Sequence, residues 1–376
     1  MKIQQKKFSK AHGWQVMKTD NFDITLCNLV LVFGSVEILS DSTVFSDIRS
    51  QYPVADILLN STAGEIMDTE VNDNTLSVTA IYFEKTKIKT KIIDAGKDSF
   101  ESGRDLAGGF DPKGLKNLFV ISDGQQVNGS ELVLGLQDFL PEDTIITGGL
   151  AGDGASFKRT LVGLNAQPTE GKIAAVGFYG DDLLIGYGSI GGWDSFGPER
   201  LITKSKNNVL YELDGKPALD IYKMYLGDYS NDLPSSGLLF PLSIRNEDNN
   251  SLVRTILSVN EEENNLISAG NMPEGCYARL MKANLDRLIE GASTAAQNSL
   301  IAQIQQPDLV ILVSCVGRKL VLNQRVEEEI EGIRTIYGDK PVLAGFYSYG
   351  EISPAFNFMR CELHNQTMTV TTFTEK

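Results

Sequence analysis

Three stretches of this chain follow one grammar: an apolar run, a segment of helical period, a second apolar run and a glycine-rich turn. The first unit runs from Leu29-Val-Leu-Val-Phe to Ala55-Asp-Ile-Leu-Leu-Asn, with Val44, Phe45, Ile48 and Tyr52 at helical spacing between them. The second runs from Leu118-Phe-Val-Ile-Ser to Thr144-Ile-Ile-Thr. Its helix carries Leu132, Val133, Leu136 and Leu140 on one face, and Pro141 stops it. The third runs from Leu309-Val-Ile-Leu-Val-Ser to Pro341-Val-Leu-Ala-Gly, with Val326, Ile330, Ile333 and Tyr337 on one helix face. Glu327 to Glu329 open that helix, where acidic side chains complement its dipole. The first and third units close on related phrases, Asn60-Ser-Thr-Ala-Gly-Glu-Ile and Phe346-Tyr-Ser-Tyr-Gly-Glu-Ile. The second closes on Gly148-Gly-Leu-Ala-Gly-Asp-Gly. Glycine there supplies close approach or backbone angles that other residues resist, and ligand sites of α/β folds gather at strand ends.

Between the units lie segments of β character. Leu76 to Phe83 alternates, with Lys85 to Ile93 as its expected partner strand. Lys172 to Tyr187 reads as a hairpin around Gly180-Asp-Asp, and Leu252 to Val259 with Leu266 to Ala269 as another. The last strand is Thr367 to Phe373. A longer helix is expected from about Ala283 to Gln305, its stripe formed by Leu285, Leu288, Ile289, Ala292, Ala296, Leu300 and Ile304. Helical units interleaved with antiparallel strands indicate an α/β fold (mixed α+β) of mixed β-sheets covered by helices. The polar stretch Gly227 to Gly237 is the expected boundary, giving an N-terminal extension at 1–24 and domains at 25–228 and 229–376.

At 376 residues, 42% hydrophobic and 22% charged, the chain can bury large cores without disulfides or metal staples. A net charge of −15 argues against a phosphate-backbone partner, so no nucleic acid is expected. No apolar run approaches the roughly 20 residues of a membrane span, and Met1 to Trp14 is too polar for a secretory leader. The four cysteines form no Cys-x-x-Cys, and a reducing cytoplasm is the expected location.

Several residues invite chemistry. The Gly148–Gly154 loop matches neither phosphate-binding glycine pattern, which favours a structural turn over a nucleotide cradle. Cys315 ends a buried strand near Arg318, and with His364 it forms a possible nucleophile pair for a hydrolase or transferase. The alternative is a small core residue. Two histidines, His12 and His364, exclude a multi-histidine metal site but leave His364 as a single haem ligand or a hydrogen-bonded side chain. Arg254, Arg318, Glu65 and Glu351 sit in or beside apolar strands and must be paired if buried. They form either internal ion pairs or a pocket gripping a carboxylate. Trp193 is expected to pack near the domain junction.

The three closing turns, Gly191-Gly-Trp, Leu213-Asp-Gly-Lys-Pro-Ala-Leu, Val253-Arg, Pro273-Glu-Gly, Ser314-Cys-Val-Gly-Arg and His364-Asn-Gln-Thr together resemble the FIST family of sensory proteins. The resemblance covers the chain from about residue 25 onward and implies an N-terminal and a C-terminal FIST domain. It implies a signal-input module for small polar ligands, with amino acids proposed and haem bound in some members. The partner it implies is a histidine kinase or cyclic-dinucleotide enzyme, reached by a stand-alone sensor. No catalytic residue carries over. Glu65, Arg254, Arg318, Tyr347, Glu351, His364 and Asn365 carry over as motif positions expected to line a pocket.

Overall fold

Each of the three units folds as a parallel strand pair with its helix. Leu29–Gly34 pairs with Asp56–Ser61, Leu115–Ser122 with Ile145–Leu150, and Leu309–Cys315 with Val342–Ser348. The expected helices lie at Ser42–Gln51, Gly129–Phe139 and Val326–Tyr337. Strands covered on both faces read as continuous apolar runs, which is why these were legible. The structure, a computed structural model, describes residues 1–245, 251–301, 306–355 and 360–376.

A short strand after each unit joins the three into a ring. Past the first unit, Glu65–Met67 adds antiparallel to Val342–Ser348, the second strand of the third unit. Past the third, Gly350–Pro354 adds to Ile145–Leu150 of the second. Past the second, Val162–Leu164 adds to Asp56–Ser61 of the first. Every unit therefore lends a strand to the next, and the outer side of each unit's second strand is covered by a neighbour. The strand ends are stitched in the same order. Ala63 N–H donates to the Tyr347 carbonyl (2.8 Å), Tyr349 N–H to Leu150 (3.2 Å) and Gly152 N–H to Ser61 (3.0 Å).

The inner faces of the three six-stranded sheets share one core, where Phe33, Phe119, Ile121, Val313, Phe346 and Phe373 meet. Alternation along each strand sends the neighbouring side chains outward to the helices. Val30 and Val32 pack on Val44 and Ile48, and Val310 and Leu312 lie in a cluster with Ala292 and Ile330. A fourth, eight-stranded sheet begins with Asp194–Lys206 and holds its own core with helix Ala218–Leu226, including Leu210, Tyr222, Leu242 and Ile256. It spans the 228/229 position, since Asp194–Lys206 pairs with Tyr277–Lys282.

Several pairings differ from the sequence expectation. Leu76–Tyr82 pairs with Leu29–Gly34 and Lys2–Ser9, whereas Lys87–Asp94 pairs with Lys172–Tyr179 in another sheet. Lys172–Tyr179 and Leu183–Ile190 are not a hairpin: the second crosses to Met368–Glu375. Adjacent strands with a short turn look like hairpins locally, but here both are captured by longer-range partners. Ile256–Asn260 does pair with Asn265–Ser268. The polar N-terminal extension is ordered as a hairpin, Lys2–Ser9 with Gly13–Thr19. Helix Leu285–Asn298 is shorter than expected, and Ile304 lies outside the described residues. Trp193 packs with Met281, Leu288 and Leu322 and donates its indole N–H to the Gln366 carbonyl (2.8 Å). Among the described residues no helix is long and apolar enough to cross a membrane.

Candidate ligand-binding site

The ends of the first strands in the second and third units frame a cavity of about 720 Å³. After Leu115–Ser122 the chain turns on Asp123, whose Oδ1 accepts the N–H groups of Gln125 (2.7 Å) and Gln126 (2.8 Å). Asn128 then caps helix Gly129–Phe139 through the N–H of Ser130 (3.0 Å) and Glu131 (3.3 Å). This fixed turn lays Gly124 to Asn128 along one wall. After Leu309–Cys315 the chain enters helix Val316–Leu322 directly, and Cys315, Val316, Gly317 and Leu320 form the facing wall. Leu150 and Tyr349 close the floor between them. Phe157 stacks on Tyr349 with ring centroids 4.5 Å apart, and both rings face the cavity.

The roof comes from the fourth sheet and its neighbouring turn: Asn208, Leu238, Thr255, Ile256, Leu257 and Ser268. Leu257 and Leu320, 43% and 42% exposed, stand apart from the buried wall residues and mark the mouth. Size and lining match those of small-molecule sites, mostly apolar with a few polar groups. Among the described residues no Asp, Glu, Lys, Arg or His lines this space. Thr255 is 2% exposed and its Oγ1 has no hydrogen-bond partner. Tyr349 presents its ring alone, because its hydroxyl donates to Asp153 and accepts the N–H groups of Asp153 and Phe157, each at 3.1 Å.

None of the seven motif positions lines this cavity. Glu65 and Glu351 are twin clasps. Glu65 accepts from the hydroxyls of Thr62 (2.6 Å) and Thr75 (2.7 Å) and from Thr75 N–H (3.2 Å). Glu351 accepts from Ser348 (2.7 Å), the Thr367 hydroxyl (2.8 Å) and Thr367 N–H (3.2 Å). Both threonines follow a residue at positive φ, Asn74 (57°) and Gln366 (61°). Asp153 repeats the device in the second unit, accepting N–H groups from Lys158 and Arg159 just past Phe157 (φ 52°). Burial pushes Glu65 up to about 7 and Glu351 up to about 8, with their hydroxyl partners pulling the other way.

Arg318 and Tyr347 belong to one internal network. The Arg318 guanidinium pairs with Glu329 Oε2 (2.7 Å) with both side chains fully buried, and also donates to the carbonyls of Gly191 and Leu288. The Tyr347 hydroxyl donates to Glu329 Oε1 (2.7 Å). The ion-pair alternative therefore holds for Arg318. Its acid is Glu329, which sequence position had assigned to the helix dipole. Arg254 donates to the carbonyls of Leu363 (2.8 Å) and Asn271 (3.1 Å), and burial lowers it to about 10. It does not line the cavity, although its neighbour Thr255 does. Asn365 is buried with neither amide atom partnered, 3.6 Å from the point a Cβ on Gly350 would occupy.

His364 Nε2 lies 3.0 Å from the Ser353 carbonyl, and burial lowers the ring to about 4, so it is neutral near pH 7. An axial haem ligand needs a ring nitrogen facing open space. Nε2 is taken by the Ser353 carbonyl and His364 does not line the cavity, so it presents no ligand to a haem placed there. Cys315 does reach the wall, but burial and the Glu351 charge push its thiol up, and no hydrogen bond joins it to His364 among the described residues. The geometry thus lacks an activated Cys–His pair. Phe157, Thr255, Leu257, Leu320 and Tyr349 escaped the sequence. The available signal was the pair of first-strand ends, Ser122-Asp-Gly and Ser314-Cys-Val-Gly, rather than the second-strand ends where the Gly-Glu phrases stand.

Fold and cavity together define a mixed α/β protein of two interlocked parts with a small-molecule-sized space between them. The chain belongs to the FIST family: residues 28–216 match the FIST N domain and residues 218–354 the FIST C domain. FIST domains are associated with signal-transduction sensing. An uncharacterized protein of Methanocaldococcus jannaschii, MJ1623, is 26% identical over 224 residues. That match covers 54% of this chain and 40% of the relative, so the chain spans less than half of that protein's length.

Proposed function

We propose that this chain is a cytoplasmic signal-input protein that binds a small ligand in the strand-end cavity and reports to a signalling partner. One observation carries this. The cavity is built jointly, with Gly124 to Asn128 and Phe157 from the N domain and Thr255 to Leu257, Cys315 to Gly317 and Tyr349 from the C domain. A ligand touching both parts binds best in one arrangement of roof and floor, and so shifts their populations. A histidine kinase or cyclic-dinucleotide enzyme is the class of partner suited to read that arrangement. Glu65, Arg254, Arg318, Tyr347, Glu351 and His364 act away from the cavity lining, where their hydrogen bonds hold strand ends, turns and the helix after Cys315 in place.

Thermal-shift screening of small metabolites against the wild type and Ala269→Trp tests the proposal. Ala269 lines the cavity, and an indole there takes up part of the space a ligand would use. At least one compound should raise the wild-type melting temperature by several degrees and lose that effect on the variant. A stabiliser that acts equally on both proteins, or no stabiliser at all, contradicts it.

A further inference from the structure

The chemistry of the cavity walls selects among ligands, given that the cavity is the binding site proposed above. A carboxylate, phosphate or ammonium taken out of water needs an opposite charge or a set of free hydrogen-bonding groups. Among the described residues the walls offer no opposite charge. The two arginines nearest in sequence are spent elsewhere, Arg318 on Glu329 and Arg254 on the Leu363 and Asn271 carbonyls. Nor does the turn beside the cavity form an anion cradle, because the chain itself takes six of its N–H groups. Gly124 N–H donates to Thr160 Oγ1 (3.0 Å), Gln125 and Gln126 to Asp123, Asn128 to Ser99 Oγ (3.0 Å), and Ser130 and Glu131 to Asn128. The two titratable wall residues, Cys315 and Tyr349, are both held in their neutral forms by burial and by nearby carboxylates.

Two positive features remain. Phe157 and Tyr349 offer a stacked aromatic surface, tilted by only 16°, on which a flat ring can lie. Thr255, a wall residue, has a hydroxyl without a partner that is closed off as the chain stands and can donate or accept one hydrogen bond once the side chain turns toward a ligand. A buried polar atom of this kind is costly until something pairs with it. We infer that the ligand is an uncharged molecule with a planar ring and a neutral hydrogen-bonding group, such as an amide or hydroxyl, placed to meet Thr255. A free amino acid fits less well, because a charged end drawn inside from the mouth meets no opposite charge on the walls.

A matched series of probes tests this by isothermal titration calorimetry: N-acetyltryptophanamide (neutral), N-acetyltryptophan (anion) and tryptophan (zwitterion), which share one ring. The neutral probe should bind at least about 30-fold more tightly than either charged one. Thr255→Val, which keeps shape and removes the hydroxyl, should weaken the neutral probe by about 5- to 10-fold, and Phe157→Ala should weaken it comparably. Ala269→Trp should abolish binding, with Leu320→Trp at the half-exposed mouth as a second blocking variant. If a charged probe binds as well as the neutral one and both blocking variants abolish it, the inference falls while the cavity reading stands. If the blocking variants leave binding unchanged, or no probe binds, the cavity reading loses its support and the inference falls with it.

Discussion

At the scale of single residues, Glu65 and Glu351 show how a repeated phrase acquires a use other than ligand binding. Each carboxylate is buried and ties its own turn to a threonine that follows a left-handed residue. Burial raises both, so the folded chain holds these protons more tightly than the unfolded chain does. Their contribution to stability is complete below the ordinary value of 4.5 and is lost as pH rises through about 7 for Glu65 and about 8 for Glu351. His364 works in the opposite sense: its buried neutral ring contributes above 6.5, and that contribution is lost as pH falls through about 4. Calorimetry of the wild type and the Glu65→Gln, Glu351→Gln double variant separates the two, since the variant keeps His364. The melting temperature of the wild type should fall more steeply than that of the variant as pH rises from 4.5 to about 8. Parallel profiles would show that the clasps are ionised in the folded state throughout.

At the scale of elements, the three strand–helix–strand units were legible because strands buried on both faces and helices with one apolar face leave distinct periods. Pairing between distant strands leaves no such trace. Leu183–Ile190 finds Met368–Glu375, and Lys87–Asp94 finds Lys172–Tyr179, through faces that only the whole fold brings together. The site was partly hidden for a related reason. Arg318 and Glu351 stand out in sequence as charges among apolar residues, yet a buried charge marks any completed network, structural or functional. The cavity wall is made of ordinary residues such as Thr255 and Leu320, which become informative only through their unpartnered or exposed state. The glycines are legible in kind and confirmed in geometry. Gly148 has φ 137°, and a Cβ there would sit 1.9 Å from the Val120 carbonyl oxygen of the adjoining strand. Gly148→Ala should therefore destabilise the protein by roughly 2–4 kcal/mol, measured by urea unfolding. A change below about 0.5 kcal/mol would mean that the two strands can part to admit a methyl group.

At the scale of the whole molecule, the defining feature is the closed ring in which each unit lends a strand to the next. The N and C domains of the family are interlocked rather than merely adjacent, because Glu65–Met67 completes a sheet of the C-terminal half and Gly350–Pro354 completes a sheet of the N-terminal half. The ring and its shared core should unfold cooperatively. Hydrogen exchange under increasing denaturant should release the amides of Leu118, Val310 and Leu31 together, whereas separate release of the first 216 residues would contradict the interlock. The same ring explains where a cavity opens. The gap between the first and third units is filled by Lys319, which donates to the Ala63 carbonyl (2.9 Å) and pairs with Asp73. The gap between the second and third units is left open under the roof of the fourth sheet. Methyl-resolved NMR during titration with a stabilising compound from the metabolite screen tests this account most directly. The shifts should cluster on Val127, Leu150, Leu238, Leu257, Val316 and Leu320, whereas shifts centred on the methyl groups flanking Arg254 and His364, namely Val253 and Leu363, would place the ligand elsewhere and contradict binding in the cavity.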